Sequence, residues 1–305
     1  MITVQNYVNG KFISVEETIE DVNPATGEVI ANIPRTKSSD VEEAVLAADK
    51  ARNVWSSLSL DKRIGWLEKI ADALEARSDD IAMLESLDTG KPIKLARAVD
   101  ASRSIANFRF FAEFSKDFSK EKFVMDDATN HIILKPVGIA GLITPWNLPL
   151  YLLSWKIAPA IVMGNTVVAK PSELTPLTAN LLAEVIHDVG LPAGVVNIVH
   201  GLGHEAGQTI VAHPKVNLIS FTGGTITGKK VAETASPMFK KLSLELGGKN
   251  ATIVLDDVNI DSVIPEIARS GFLNQGQVCL CGSRILVSDK IWNEFVEKFV
   301  DYVDN

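Results

Sequence analysis

Residues 136–155 read PVGIAGLITPWNLPLYLLSW, twenty consecutive positions without a charge. The length suits a membrane span. Pro145 and Pro149, however, would break a spanning helix, and lipid offers no partner for the backbone groups they free. The stretch therefore reads as a buried strand over 137–144, a sharp turn at PWNLP and a buried helix from Leu150.

Downstream the same alternation repeats. NTVVAK (165–170) precedes a helical pattern near 176–189, GVVNIVHG (194–201) one near 206–213, and NLISFTGG (217–224) one from Thr227. Successive βα units of this length predict an α/β fold, a doubly wound parallel sheet with helices on both faces. Upstream, Asn9-Gly10 and Thr26-Gly27 are hairpin signals. Ser39-x-x-Glu42 is a capping-box signature ahead of an apolar face of Val41, Ala44, Val45 and Ala48. Ile64, Leu67, Ile70 and Leu74 form a second helical stripe, DTGKP (88–92) breaks the pattern, and a long helix follows over 93–114. The charged stretch SKDFSKEKFVMDDATN (115–130) leads into an exposed hairpin or arm. A helix-rich segment opens at Asn259, and residues 250–305 are expected to supply one strand, a loop around Cys279 and a helix bearing Ile291, Phe295 and Phe299.

The 305 residues, 46% of them apolar, allow two domains. A net charge of -8 argues against nucleic acid or an anionic membrane as partner. Two cysteines spaced Cys279-x-Cys281 form no disulfide framework, and the start shows no secretory pattern, so a reducing, cytoplasmic setting is expected. Neither HExxH nor CxxC occurs, so no metal site is expected.

Candidate chemistry is scattered. The glycines Gly201, Gly203 and Gly207 follow a strand but lack an acidic residue at the spacing of a dinucleotide fingerprint. Gly223-Gly224 opens a helix and suits either a phosphate or a plain tight turn. Cys279 beside Gly276 and Gln277 is a nucleophile if something activates it, and otherwise an inert thiol. Glu245, followed by Gly-Gly, is a candidate general base.

Taken together, TPWNLP (144–149), GNTVVAKPSE (164–173), FTGGTITG (221–228), LELGGKN (244–250) and NQGQVCLCGSR (274–284) resemble the NAD(P)-dependent aldehyde dehydrogenase superfamily. The resemblance, which includes NPATGEVI near the start, implies that Cys279 attacks the aldehyde carbonyl, giving a thiohemiacetal. It implies that Asn147 and the Cys279 backbone N–H stabilise the oxyanion, and that Glu245 activates the water that hydrolyses the later thioester. Lys170 and Glu173, with Ser172 beside them, match adenosine-ribose ligands. A carboxylate there favours NAD over NADP. Gly223 and Gly224 match the pyrophosphate turn, Gly203 the adenine surroundings, and Thr144 and Trp146 the turn facing the cofactor. Lys156 and Cys281 match positions near the pocket without a firm role.

Within the family, ASRSIANFRFFAEF (101–114), NLPLYLLSWKIAPA (147–160) and VCLCGSRI (278–285) look like the muconate semialdehyde dehydrogenases. That branch implies a carboxylate-bearing semialdehyde as substrate, with Arg103 binding the carboxylate. The alternative for Arg103 is a solvated helix arginine. The alternative substrate is a hydrophobic aldehyde lined by Phe108, Phe110, Phe111 and Leu148. The resemblance divides the chain into a cofactor domain (1–122 and 138–246), an oligomerisation arm (123–137) and the first part of a catalytic domain (247–305). It implies a homo-oligomer. The family's chains continue beyond this one, which leaves room for a complementing C-terminal polypeptide, or for a catalytically silent nucleotide-binding or structural protein.

Overall fold

The computed structural model describes residues 1–117 and 122–305. Residues 118–121, inside the charged stretch expected to lead into the arm, lie outside the described residues. Two compact units are present, Met1–Glu245 and Leu246–Asn305.

The first unit is built on a seven-stranded sheet. Its order is Lys241–Leu246, Val216–Gly223, Ile139–Ile143, Thr166–Lys170, Val196–Ile198, Asn6–Val8 and Lys11–Ile13. The four strands from Val216–Gly223 to Val196–Ile198 run parallel, as expected. Every residue of Ile139–Ile143 and Thr166–Lys170 is buried, so both faces of the sheet centre are covered. At one edge the sheet is extended by residues from the start of the chain. There the N-terminal hairpin adds two antiparallel strands, Tyr7 pairing with Ile198. Asn9 and Gly10 both take positive φ (52° and 75°), the conformation a two-residue hairpin needs. Asn197 fixes this edge: its Oδ1 accepts the Asn9 N–H at 2.9 Å, and its Nδ2 donates to the carbonyls of Val167 and Gly194.

Chain order reverses at Ile139–Ile143. The next two strands are laid down on one side of it and the last two on the other. In an open α/β sheet such a reversal leaves a crevice at the carboxyl ends of the strands on either side of it.

Helices cover the sheet. The helix Ser38–Ser57 buries Val41, Ala44, Val45 and Ala48. It starts one residue before the expected cap, because the Asp40 carboxylate accepts the Lys37 backbone N–H at 3.0 Å; Glu42 instead meets His213 Nε2 at 2.9 Å. The helix Leu60–Ala76 buries its predicted stripe. Trp55, fully buried, donates from Nε1 to the carbonyl of Ile161 at 2.9 Å and ties the first helix to the helix Pro149–Val162. The long helix over 93–114 is interrupted by a wide π turn at Arg97–Ala101, which sequence periodicity does not reveal. Gly194 brings the entry to Val196–Ile198 against the first helix. With φ of +82°, its position leaves a Cβ only 2.6 Å from the Ala47 carbonyl.

Lys122–Val124 and Thr129–His131 form an exposed antiparallel hairpin where the arm was expected. Among the described residues no helix is long and apolar enough to cross a membrane.

The second unit carries two parallel strands, Ala251–Val254 and Arg284–Val287, where the sequence suggested one. The helices Ile260–Phe272 and Trp292–Asp304 close its small core of Val254, Ile260, Ile264, Ile267 and Phe295.

Candidate active site

Parallel register places several sequence-derived candidates at one edge of the sheet. Phe221, Ile143 and Lys170 stand opposite one another on neighbouring strands, so Thr144, Lys170 and Gly223 all lie where these strands end. Thr144 donates its backbone N–H to the Lys170 carbonyl at 3.2 Å. Its buried hydroxyl has no hydrogen-bond partner among the described residues. Lys170, almost wholly buried, donates to Glu173 Oε2 and to the Pro171 carbonyl, each at 2.8 Å. Burial lowers its ammonium pKa against the pull of Glu173. Burial acts to raise the Glu173 carboxyl, but Lys170 and the Gly203 backbone N–H outweigh it and hold the group below its ordinary value. Lys170, Glu173 and Gly203 therefore converge. Ser172 faces inward, its hydroxyl accepting the Leu174 N–H at 3.2 Å. Gly224 caps the helix Thr225–Ala235, which therefore starts at the end of the strand Val216–Gly223 with its first N–H groups unbonded within the helix. Behind Lys170, His200 is fully buried, and burial pushes it down to about 3, so its ring is neutral.

The PWNLP turn links the central strand to the helix Pro149–Val162. Asn147 is half-buried at its tip, Trp146 is exposed, and Leu148 is buried.

Beside this helix lies a cavity of ≈ 330 Å³ lined by Phe111, Trp155, Lys156, Ser220, Ser243 and Glu245 among others. Glu245 is exposed on the edge strand Lys241–Leu246. Lys156 donates to Ser220 Oγ at 2.7 Å, and burial lowers its ammonium to about 8 despite the pull of Glu245. Sequence gave Lys156 no firm role and gave Ser220 none; their pairing joins a helix to a strand 64 residues further on.

On the helix Ser102–Phe114, Arg109 pairs with Asp72 and Glu75, and Arg97 just before it pairs with Asp79. Arg103 is exposed and has no ion pair among the described residues. Phe108 corrects the sequence expectation: it is fully buried in the main core, because it falls on the inner face with Ile105 and Ala112. Of the phenylalanines on this helix, Phe111 lines the cavity, while Phe110 stacks between Phe114 and Trp155.

In the second unit Cys279 is exposed and Cys281 buried, both as free thiols. The loop that carries them follows three consecutive residues with positive φ, Asn274, Gln275 and Gly276. Two of these are not glycine, so the backbone is strained there. Asn250, from LGGKN, pins the loop by donating from Nδ2 to the carbonyls of Cys279 (2.6 Å) and Cys281 (3.3 Å). Sequence reading passed over Asn250.

Comparison with known proteins gives this arrangement a context. Residues 12–305 match the aldehyde dehydrogenase family. The chain belongs to that family. Among curated members, the 2-aminomuconic semialdehyde dehydrogenase of Homo sapiens is 47% identical over 303 residues, covering 99% of this chain and 62% of the human protein. The 2-hydroxymuconic semialdehyde dehydrogenase of Pseudomonas sp. (strain CF600) is 44% identical, covering 98% and 63%. A solved aldehyde dehydrogenase from Bacillus cereus in its NAD+ complex aligns with a TM-score of 0.96 at 36% identity, over all of this chain and 63% of that one. This family member thus spans somewhat over three fifths of the length of the curated relatives it matches.

Proposed function

We propose that this chain takes part in oxidising an aldehyde to its carboxylic acid with NAD as hydride acceptor. The observation that carries the reading is the convergence of Lys170, Glu173 and Gly203 beside Thr144 at the carboxyl edge of a parallel sheet. This donor set suits a dinucleotide. Glu173 offers carboxylate oxygens to ribose hydroxyls, the helix opening at Thr225 offers N–H groups to a pyrophosphate, and Thr144 Oγ1 is a buried polar atom with no partner among the described residues. An ionised Glu173 would repel a 2′-phosphate, which favours NAD over NADP. Bound there, the nicotinamide ring would supply the site that accepts hydride.

The roles of the chain's own residues follow from the motif resemblance. Cys279 as thiolate adds to the aldehyde carbonyl, forming a C–S bond. Asn147 donates to the resulting oxyanion, an interaction worth roughly 3–4 kcal/mol in comparable sites. Loss of hydride from that carbon leaves a thioester on Cys279. Glu245 removes a proton from water, which attacks the thioester, breaks the C–S bond and releases the acid and the thiol.

Arg103 extends the reading to substrate. A cation left unpaired on an exposed helix face suits a carboxylate at the far end of the aldehyde, in keeping with the muconic semialdehydes named for the relatives.

The test is aldehyde-dependent NADH formation. Cys279→Ala should abolish it, whereas Glu245→Gln should accumulate a thioester detectable by intact mass. Wild-type turnover by Cys279→Ala would end this reading.

A further inference from the structure

Lys91 has no part in the chemistry above, and its stretch, DTGKP, reads in the sequence only as a helix breaker. Its ammonium is fully buried, 2.9 Å from Asp100 Oδ1 and 3.6 Å from Glu85 Oε2, and it donates to the backbone carbonyl of Asn147 at 3.2 Å. Glu85 is fully buried too. Its Oε1 accepts the backbone N–H of Leu150 at 3.0 Å and the hydroxyl of Thr178 at 2.8 Å. A further contact comes from Thr175, whose hydroxyl donates to the Trp146 carbonyl at 3.2 Å. Side chains from elsewhere in the fold thus hold the backbone of residues 146, 147 and 150.

Stability alone does not explain this cluster. A buried ion pair is often no more stabilising than apolar residues of the same volume. Apolar residues, however, cannot bond to backbone groups. Pro145 and Pro149 have no N–H, so the turn lacks two of its own donors, and its remaining buried backbone groups call on partners from outside it. Lys91 and Glu85 are those partners on either side of Pro149.

We propose that Lys91, gripped by Asp100 and Glu85, is a positioning residue that fixes the Asn147 backbone and, through it, the side-chain amide offered to the oxyanion. The proposal rests on the role given to Asn147 above. An oxyanion donor works by being in place before charge develops, and a displacement near 1 Å can lower the rate by about 10²-fold.

The experiment follows the side-chain amide signal of Asn147 in the 15N-labelled chain, assigned by its loss in Asn147→Ala. Lys91→Met should shift or broaden that signal and leave the Trp55 indole signal in place. Because Lys91→Met strands two buried carboxyl groups, the double variant Lys91→Met/Asp100→Asn neutralises the nearer of them, leaves only Glu85, and should move the Asn147 signal in the same way. Asp100→Asn alone, which retains the Lys91 donor, should move it less. An unmoved Asn147 signal in either folded Lys91 variant overturns the proposal. So does unfolding of both, which would make the cluster a requirement of the fold and not of the turn. Where turnover is measurable, Lys91→Met should lower kcat by up to about 10²-fold with the KM for NAD unchanged. An Asn147 signal that responds in a chain without turnover upholds the positioning role and counts against the proposed reaction.

Discussion

Lys156 Nζ lies 2.7 Å from Ser220 Oγ, joining the helix Pro149–Val162 to the strand Val216–Gly223 inside the cavity that Glu245 also lines. The ammonium is nearly enclosed, and burial brings it down to about 8. Below that pH both the folded and the unfolded chain hold the proton, so the folded state carries the full net penalty of burying the charge, on the order of 3 kcal/mol. Between about 8 and the ordinary lysine value of 10.5 the unfolded chain binds more protons, and stability rises with pH.

Lys156→Met should therefore raise the thermal midpoint at pH 7, by about 2–4 °C for each kcal/mol recovered. The gain should shrink as pH climbs through that window. Thermal scans from pH 7 to 10.5 check this. A lower midpoint at pH 7 would mean that Ser220 and Glu245 outweigh the burial of the charge.

Arg103→Ala should raise KM for a carboxylate-bearing semialdehyde at least tenfold and leave a neutral aliphatic aldehyde within about twofold, since about 1.4 kcal/mol separates each decade. Equal effects on both would favour a hydrophobic tunnel and an arginine that is merely solvated.

Glu173→Ser should weaken NAD and strengthen NADP. The substitution removes the ribose acceptor and leaves the Lys170 ammonium without its carboxylate partner, free to meet a 2′-phosphate. Titration calorimetry with each dinucleotide reads the ratio. An unchanged preference would place the adenosine ribose elsewhere.

Gly194→Ala should destabilise the first unit by about 2 kcal/mol or more, combining a left-handed backbone with a methyl group pressed on the Ala47 carbonyl. Denaturant unfolding measures it. A loss under about 0.5 kcal/mol, the scatter expected of an ordinary surface change, would show that the first helix moves aside.

The parallel core was legible because its strands are short, apolar and punctuated: TVVAK and GVVNIV each end at Lys, His or Gly and give way to helical spacing. The Asn9-Gly10 hairpin was legible for a similar reason, since only a few dipeptides favour two successive positive φ angles. The second strand of the smaller unit, Arg284–Val287, was not. Four residues beside a strained loop carry too little periodicity to announce a strand. Phe108 misled because a helix bearing four phenylalanines shows which residues are aromatic, while the side they face depends on how the helix packs. Lys91, Glu85, Asp100 and Asn250 stayed hidden for a deeper reason. Each acts on backbone groups or charges brought near only by the fold, and Glu85 reaches a partner 65 residues away.

The hairpin at the sheet edge has a further consequence, for the order of events as the chain is made. The bond between Asn9 and Asn197 spans 188 residues. At about 5–20 residues per second, a ribosome needs roughly 10–40 s to synthesise that interval. During this time Asn6–Val8 has no Val196–Ile198 strand to join. A newborn chain thus presents a strand with an open edge well before its docking place exists, and such an edge invites pairing with other chains. The window for chaperone engagement, and for misassembly between neighbouring ribosomes, should close when residue 198 emerges.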